Sequence, residues 1–121
     1  MYETVGETSV LSELQNRELA GVTFVRNYVQ LLFDGPYLNA YTAPRVRTEF
    51  KTFSQKTPGY RDALCEQIGK VVTAAHDEPH QKIAIEFCDG TAIEISLKDE
   101  DRLCAEAAIL QIDSGKRWKA W

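Results

Sequence analysis

Hydrophobic positions in this chain follow two rhythms: alternation in two stretches, and helical spacing in the segment between them. Residues 28–33, Tyr-Val-Gln-Leu-Leu-Phe, run into Asp34-Gly35-Pro36 and out again through Tyr37 to Tyr41, which predicts a β-hairpin. Pro36 has no N–H to close a two-residue turn, so a four-residue loop, Phe33 to Pro36, is expected, with Leu32 opposite Tyr37. That register sets Leu31 against Leu38 and Val29 against Ala40 on one face. Tyr28 then meets Tyr41, and Gln30 meets Asn39, on the other. A slip of one residue would mix the faces.

The second alternating stretch runs from Lys82 to Ser96 around Cys88-Asp89-Gly90. A three-residue loop with Gly90 in the left-handed region pairs Ile85 with Ile93 and Ile83 with Ile95. Lys82, Ala84, Glu86, Ala92, Glu94 and Ser96 fall on the opposite side, which is expected to be wet. Between the hairpins, Thr57-Pro58 reads as an N-cap with proline at the first helical position. Tyr60, Leu64, Ile68, Val71 or Val72, and Ala75 follow at helical spacing, and Pro79 ends the helix.

Shorter elements complete the expectation. Residues 1–8 read as a frayed end, and Ser9 as the cap of a short helix carrying Val10, Leu11 and Leu14, ended near Gly21. Arg45 to Phe53 is expected to be a third strand beside the first hairpin. Ser96 would cap a short helix over Lys98 to Ala107, Ile109 to Ile112 would be a last strand, and residues 116–121 a basic, aromatic tail. The sum is an α+β fold in a single domain, residues 1–121. It is an antiparallel sheet built from two Asp-Gly hairpins, with one face covered by a central helix.

Composition narrows the class. A chain of 121 residues, 44% hydrophobic and 26% charged, has enough apolar mass for one core and is not disordered. Its longest apolar runs, such as Val29 to Phe33, are too short to span a bilayer. Glu3, Glu7 and Glu13 stand where an export signal would need positive charge, so a cytoplasmic protein is expected. Cys65, Cys88 and Cys104 are odd in number and widely spaced, which predicts reduced thiols buried as small hydrophobes. Net charge is −4, yet Gly21 to Asp62 is basic and Ala63 to Gly115 strongly acidic. Such asymmetry suggests a two-signed interaction surface.

Candidate chemistry is sparse. His76 and His80 could share a metal on a continuous helix, but Pro79 between them opposes helical geometry, and no third ligand stands nearby in sequence. Ser54, Ser96 and Ser114 lie in no nucleophile motif. Asp99, Glu100 and Asp101 read as a helix start rather than a reacting pair. Arg45, Arg47, Lys51, Lys56 and Arg61 interleave with Phe50, Phe53 and Tyr60 as in a single-strand binder, but a pI of about 5.2 argues against nucleic acid. No catalytic residue, metal, cofactor, nucleic acid or membrane partner is therefore assigned. The feature with most promise is one face of the first hairpin: Tyr28, Gln30, Leu32, Tyr37, Asn39 and Tyr41. Tyrosine offers large contact area with a polar handle, as surfaces that meet partners do.

The segments FVRNYVQLLFDGPYLNAYTAP, YRDALCEQIGKVV and IAIEFCDGTAIEISLKDED resemble a group of small stand-alone bacterial proteins known only as uncharacterised domains. The likeness spans about residues 22–108 and rests on two Asp-Gly turns and a helix. It implies a bacterial cytoplasmic protein and carries no activity and no functional residues. The expected architecture is also similar to that of some immunity proteins of bacterial toxin systems, an analogy at the level of fold. The reading is a non-enzymatic module binding an unidentified protein or small molecule, with Tyr28, Gln30, Tyr37, Asn39 and Tyr41 as contact residues, and a homodimer as one arrangement. The alternative is a small metal-dependent or hydrolytic enzyme using His76, His80 and nearby carboxylates.

Overall fold

The computed structural model describes residues 10–113 and 116–121; the frayed end expected for 1–8, the Ser9 cap and Ser114 lie outside them. In chain order the strands are β1 (Leu19–Val25), β2 (Tyr28–Phe33), β3 (Tyr37–Ala40), β4 (Arg45–Arg47) and β5 (Thr52–Phe53). After the helix α1 (Tyr60–Cys65) come β6 (Val72–Glu78), β7 (Lys82–Phe87) and β8 (Ala92–Ser96). A 3-10 turn at Asp99–Asp101 precedes β9 (Ala108–Ile112) and β10 (Arg117–Ala120). They form two five-stranded antiparallel sheets, ordered β1-β2-β3-β9-β10 and β5-β4-β8-β7-β6. The fold is thus a small, β-rich α+β arrangement.

Apolar alternation sets the pairing. In the first sheet Leu31 lies opposite Leu38, Gln30 opposite Asn39 and Leu32 opposite Tyr37. In the second, Ile83 faces Ile95 and Ile85 faces Ile93, and Gly90 takes the left-handed conformation (φ 89°) that closes their loop. β1 carries a bulge between Leu19 and Gly21; a Cβ at Gly21 would sit 3.3 Å from Leu32 Cδ1, so a larger residue there requires the Leu32 side chain to give by a few tenths of an ångström.

The dry faces of the two sheets pack on each other. Leu31, Leu38, Leu110 and Ile112 of the first meet Val46, Ile83, Ile85, Ile93 and Ile95 of the second in one buried cluster. Each such side chain contributes about 1.5–3 kcal/mol on burial. The start of β6 is bonded to the chain leading into β1: Asn16 N–H donates to Val72 O at 2.8 Å, and Val72 N–H to Arg17 O at 2.8 Å. Near its other end, Asp77 Oδ2 accepts a hydrogen bond from Trp121 Nε1 at 2.9 Å. β1 and β10 are opposite edges of the first sheet, so β6 runs across that sheet from one edge to the other.

Several expectations are corrected. The helix is six residues long and does not reach Ala75. Gly69, at φ 95°, turns the chain; Val71 forms an isolated bridge with Glu18, and β-branched Val72 and Thr73 begin strand β6. Ile68 and Val71 are consequently exposed. The core face that this helix was expected to cover is covered by the other sheet. Thr57 does not cap α1: Gly59 holds the cap position without a side-chain bond, while Thr57 Oγ1 accepts the Ser54 N–H at 3.0 Å. β4 and β5 join the second sheet through β8, not the first hairpin. In place of a helix over Lys98 to Ala107 there is the 3-10 turn, with Ser96 Oγ accepting the Lys98 N–H. Residues 117–120 are no loose tail but edge strand β10, paired with β9. Finally, the outer side of β8 is not wet, for Glu94 and Ser96 are each only 6% exposed.

Candidate functional site

At the end of the sandwich where β1 turns into β2 and β3 leaves for β4, a groove of about 1340 Å3 opens toward the segments 54–62 and 96–104. Three short connections build it. Arg26-Asn27 forms a two-residue turn between the paired Val25 and Tyr28. Tyr41 and Thr42, just past β3, both donate their N–H groups to Ala107 O, at 2.8 and 3.2 Å. On the far side α1 is anchored by Tyr60, whose hydroxyl donates to Pro44 O at 2.6 Å. Burial pushes the Tyr60 phenol up to about 12.

The lining is mixed in character. Phe24, Val29 and Leu103 supply apolar surface, and Leu103 is 85% exposed. The Tyr28 and Tyr41 rings stand 5.3 Å apart at 51°, the tilted geometry that aromatic pairs favour. Arg26, Arg45, Lys56 and Arg61 also line the groove, against Asp62 and Asp101. Asp101 is engaged by Ser96 Oγ at 2.6 Å, and the Arg61 guanidinium lies 5.4 Å over the Phe24 ring.

Two polar atoms of lining residues stand out. Thr42 is only 7% exposed, and its Oγ1 is shielded from solvent without a hydrogen-bond partner among the described residues. Arg45 Nε is in the same condition. Nη2 of the Arg45 guanidinium lies 3.8 Å from Glu94 Oε1. Glu94 also takes Arg47 Nε at 3.0 Å and Lys82 Nζ at 3.1 Å. Burial opposes the charge on Glu94, yet the bonds from Arg47 and Lys82 outweigh it and hold the carboxyl below the ordinary range. One carboxylate thus meets three cations, leaving local positive charge beside the groove.

The residues expected to make contacts divide. Tyr28 and Tyr41 come together at the groove. Gln30 and Asn39 bond to each other, Nε2 to Oδ1 at 3.0 Å. Tyr37 lies farther along, between Leu32 and Gln111, outside the groove lining. Trp118 pairs with Gln111, so strand alternation puts it on the same outer face as Tyr37, which it extends rather than covers. Sequence reasoning missed Arg26, Thr42 and Leu103. Val25-Arg26-Asn27-Tyr28 carries no glycine or proline to announce a turn, and Thr42 and Leu103 acquire meaning only when the loops close on each other.

Other candidates disperse. His76 stands on strand β6, opposite Ala84, and His80 sits in the following turn with φ 63°, so the two share no helix face. Among the described residues no group of three or more His, Cys, Asp or Glu side chains is placed to hold a metal. Arg45 and Arg47 are committed to Glu94, and Lys51 lies 4.6 Å over the Phe53 ring. Cys65, Cys88 and Cys104 are free but exposed, not buried as expected. Each falls at a helix end or in a loop; Leu64 and Phe87 turn inward without Cys65 and Cys88, while Leu103 stays exposed beside Cys104. Among the described residues no helix is long and apolar enough to cross a membrane. Comparison with protein-family models, characterised proteins and solved structures gives no match to this chain.

Proposed function

We propose that this protein is a non-enzymatic binding module that receives a partner in the groove at the Tyr28–Tyr41 end of the sandwich. The observation that carries the reading is that aromatic pair, half-buried at 5.3 Å separation in a cleft that also holds unpartnered polar atoms of Thr42 and Arg45. Tyr28 and Tyr41 bring contact area with few torsions to order, which lowers the entropic cost of association. Thr42 Oγ1 and Arg45 Nε carry unmet hydrogen-bonding capacity, which a ligand can complete once either side chain turns into the groove. Among the described residues no hydroxyl or thiol of the groove lining is bonded to a histidine, the commonest activating base.

Within this class, a bacterial cytosolic inhibitor resembling an immunity protein suits the small size and acidic charge. A second copy of the chain, joined along edge strand β10 or the outer tyrosine face, is a further partner of the same kind. Selection of a displayed random-peptide library on the immobilised protein tests the groove. Enrichment is expected on the wild type and is expected to vanish on the Tyr28→Ala/Tyr41→Ala variant, checked for folding by circular dichroism. Enrichment that survives the double substitution moves the site elsewhere.

A further inference from the structure

We infer that the groove takes an acidic peptide segment of a partner protein, with an apolar side chain seated against Phe24 and Leu103 of its lining. The inference rests on the reading of the groove as the binding site and adds the chemistry of what fills it.

Charge makes the first argument. The protein carries −4 overall, yet the groove gathers Arg26, Arg45, Lys56 and Arg61 against Asp62 and Asp101. Arg26, Lys56 and Arg61 join no ion pair among the described residues. Asp101 accepts a hydrogen bond from the Ser96 hydroxyl, which orients its carboxylate and leaves its charge in place. A chain that is acidic overall has thus placed four cations against two carboxylates around this cleft, an excess that attracts anionic ligands and turns cationic ones away.

Buried polar atoms make the second. Thr42 Oγ1 and Arg45 Nε lack partners, and a buried polar group left so costs about 1–3 kcal/mol. Both atoms are closed off from the groove as it stands, so a ligand carboxylate, which only accepts, reaches either one when Thr42 or Arg45 turns toward it. Arg45 already stands by one carboxylate, with Nη2 3.8 Å from Glu94 Oε1.

Size makes the third. At about 1340 Å3 the groove exceeds the roughly 300–1000 Å3 of most small-molecule sites. An extended segment of several residues fills it better than a single metabolite, and exposed Leu103 offers apolar surface for an anchoring side chain.

The test is fluorescence anisotropy with three labelled, end-capped hexapeptides sharing one central phenylalanine and one leucine. The other positions are all Glu, all Gln or all Lys. Saturable binding is expected for the Glu peptide alone, and it should weaken as ionic strength rises past about 0.15 M, where the Debye length is about 8 Å. The exposed triple variant Arg26→Ala/Lys56→Ala/Arg61→Ala should weaken it about tenfold or more. Arg117→Ala, whose partners are Glu13 and Asp113 away from the groove, should leave it unchanged. Equal binding of the Glu and Gln peptides, or insensitivity to the triple variant, overturns the acidic preference while the groove reading stands, provided the library selection still depends on Tyr28 and Tyr41. Failure of that selection as well removes both. Dimerisation through the groove, seen by light scattering and lost in the Tyr28→Ala/Tyr41→Ala variant, assigns the cleft to a second copy and overturns the proposal.

Discussion

The Tyr60 hydroxyl donates to the carbonyl oxygen of Pro44 at 2.6 Å and so ties α1 to the chain that leaves β3. Both residues are buried, and Tyr60 forms part of one wall of the groove that Tyr28 and Tyr41 also line. The bond requires the neutral phenol, which burial also favours.

Replacing Tyr60 with phenylalanine should therefore cost about 1–3 kcal/mol, since Pro44 O loses its partner. The pH dependence has a definite sign. The folded pKa, about 12, lies above the ordinary value of 10.0, so this contribution is complete below pH 10 and lost as pH rises through about 12. Urea melts at neutral and alkaline pH check both effects. An unchanged midpoint in the Tyr60→Phe variant would mean that the bond does not stabilise the fold.

At the acid end the relevant groups are Glu94 and Asp89. Hydrogen bonds from Lys70 and then Thr91 hold Asp89 well below the usual carboxylate range, and Glu94 is lowered by Arg47 and Lys82 against its burial. Depressed pKa values stabilise the fold above the unfolded value, about 4, and that stability is lost as pH falls through the folded values. Glu94→Gln should cost about 1–3 kcal/mol at neutral pH, less than a fully buried pair because its three partners are partly exposed. The variant should also lose less on acidification than the wild type. Thermal melts between neutral and acid pH decide it, and parallel curves for the two proteins would remove Glu94 from the account.

How much of this was legible in the sequence depends on the range of the signal. The hairpin pairs Leu31–Leu38 and Ile85–Ile93 follow from alternation and an Asp-Gly turn within a few residues. Tyr28 and Tyr41 come together for the same local reason. β1 was hidden because Gly21 reads as a helix stop, whereas it serves a bulge against Leu32. β6 was hidden because Val71, Val72 and Ala75 fit a helical period as well as a strand, and tertiary pairing with β7 settled the matter. Leu103 joins Thr42 and Arg45 in the groove lining only through long-range packing, which no local pattern encodes.

The short helix makes a discriminating prediction. Leu64 is fully buried, whereas Ile68 is 42% exposed. Leu64→Ala and Ile85→Ala should each cost about 2–5 kcal/mol, while Ile68→Ala should stay within about 0.5–1 kcal/mol. Were the helix to continue to Ala75, Ile68 would face the core and cost as much as Leu64. Equal losses at 64 and 68 in urea denaturation would restore the longer helix.

The thiols offer a quick check on the corrected burial. Cys65, Cys88 and Cys104 are all exposed and free, and thiol reactivity follows access and thiolate fraction. All three should react with an aromatic disulfide reagent at mildly alkaline pH without denaturant. Reaction of fewer than three until urea is added would return the silent cysteine to the interior.

The C-terminal strand separates two tryptophans by role. Trp121 donates Nε1 to Asp77 Oδ2 at 2.9 Å, and it packs against the core. Its backbone is bonded at both ends, Trp121 N–H to Ala108 O at 2.9 Å and Ala107 N–H to Trp121 O at 2.7 Å. It therefore pins edge strand β10 to β6 of the other sheet. Trp118, 62% exposed, lies on the outer face and joins nothing across the sandwich. Trp121→Ala keeps the backbone bonds but removes the side-chain bond and its packing, so it should cost about 1–3 kcal/mol. Trp118→Ala should change stability by no more than about 0.5 kcal/mol. Urea melts followed by far-ultraviolet circular dichroism measure both without relying on tryptophan fluorescence. If neither substitution shifts the midpoint, the C-terminal residues are a loose tail after all. A loss at Trp118 as large as at Trp121 would instead mean that the outer face is covered in solution.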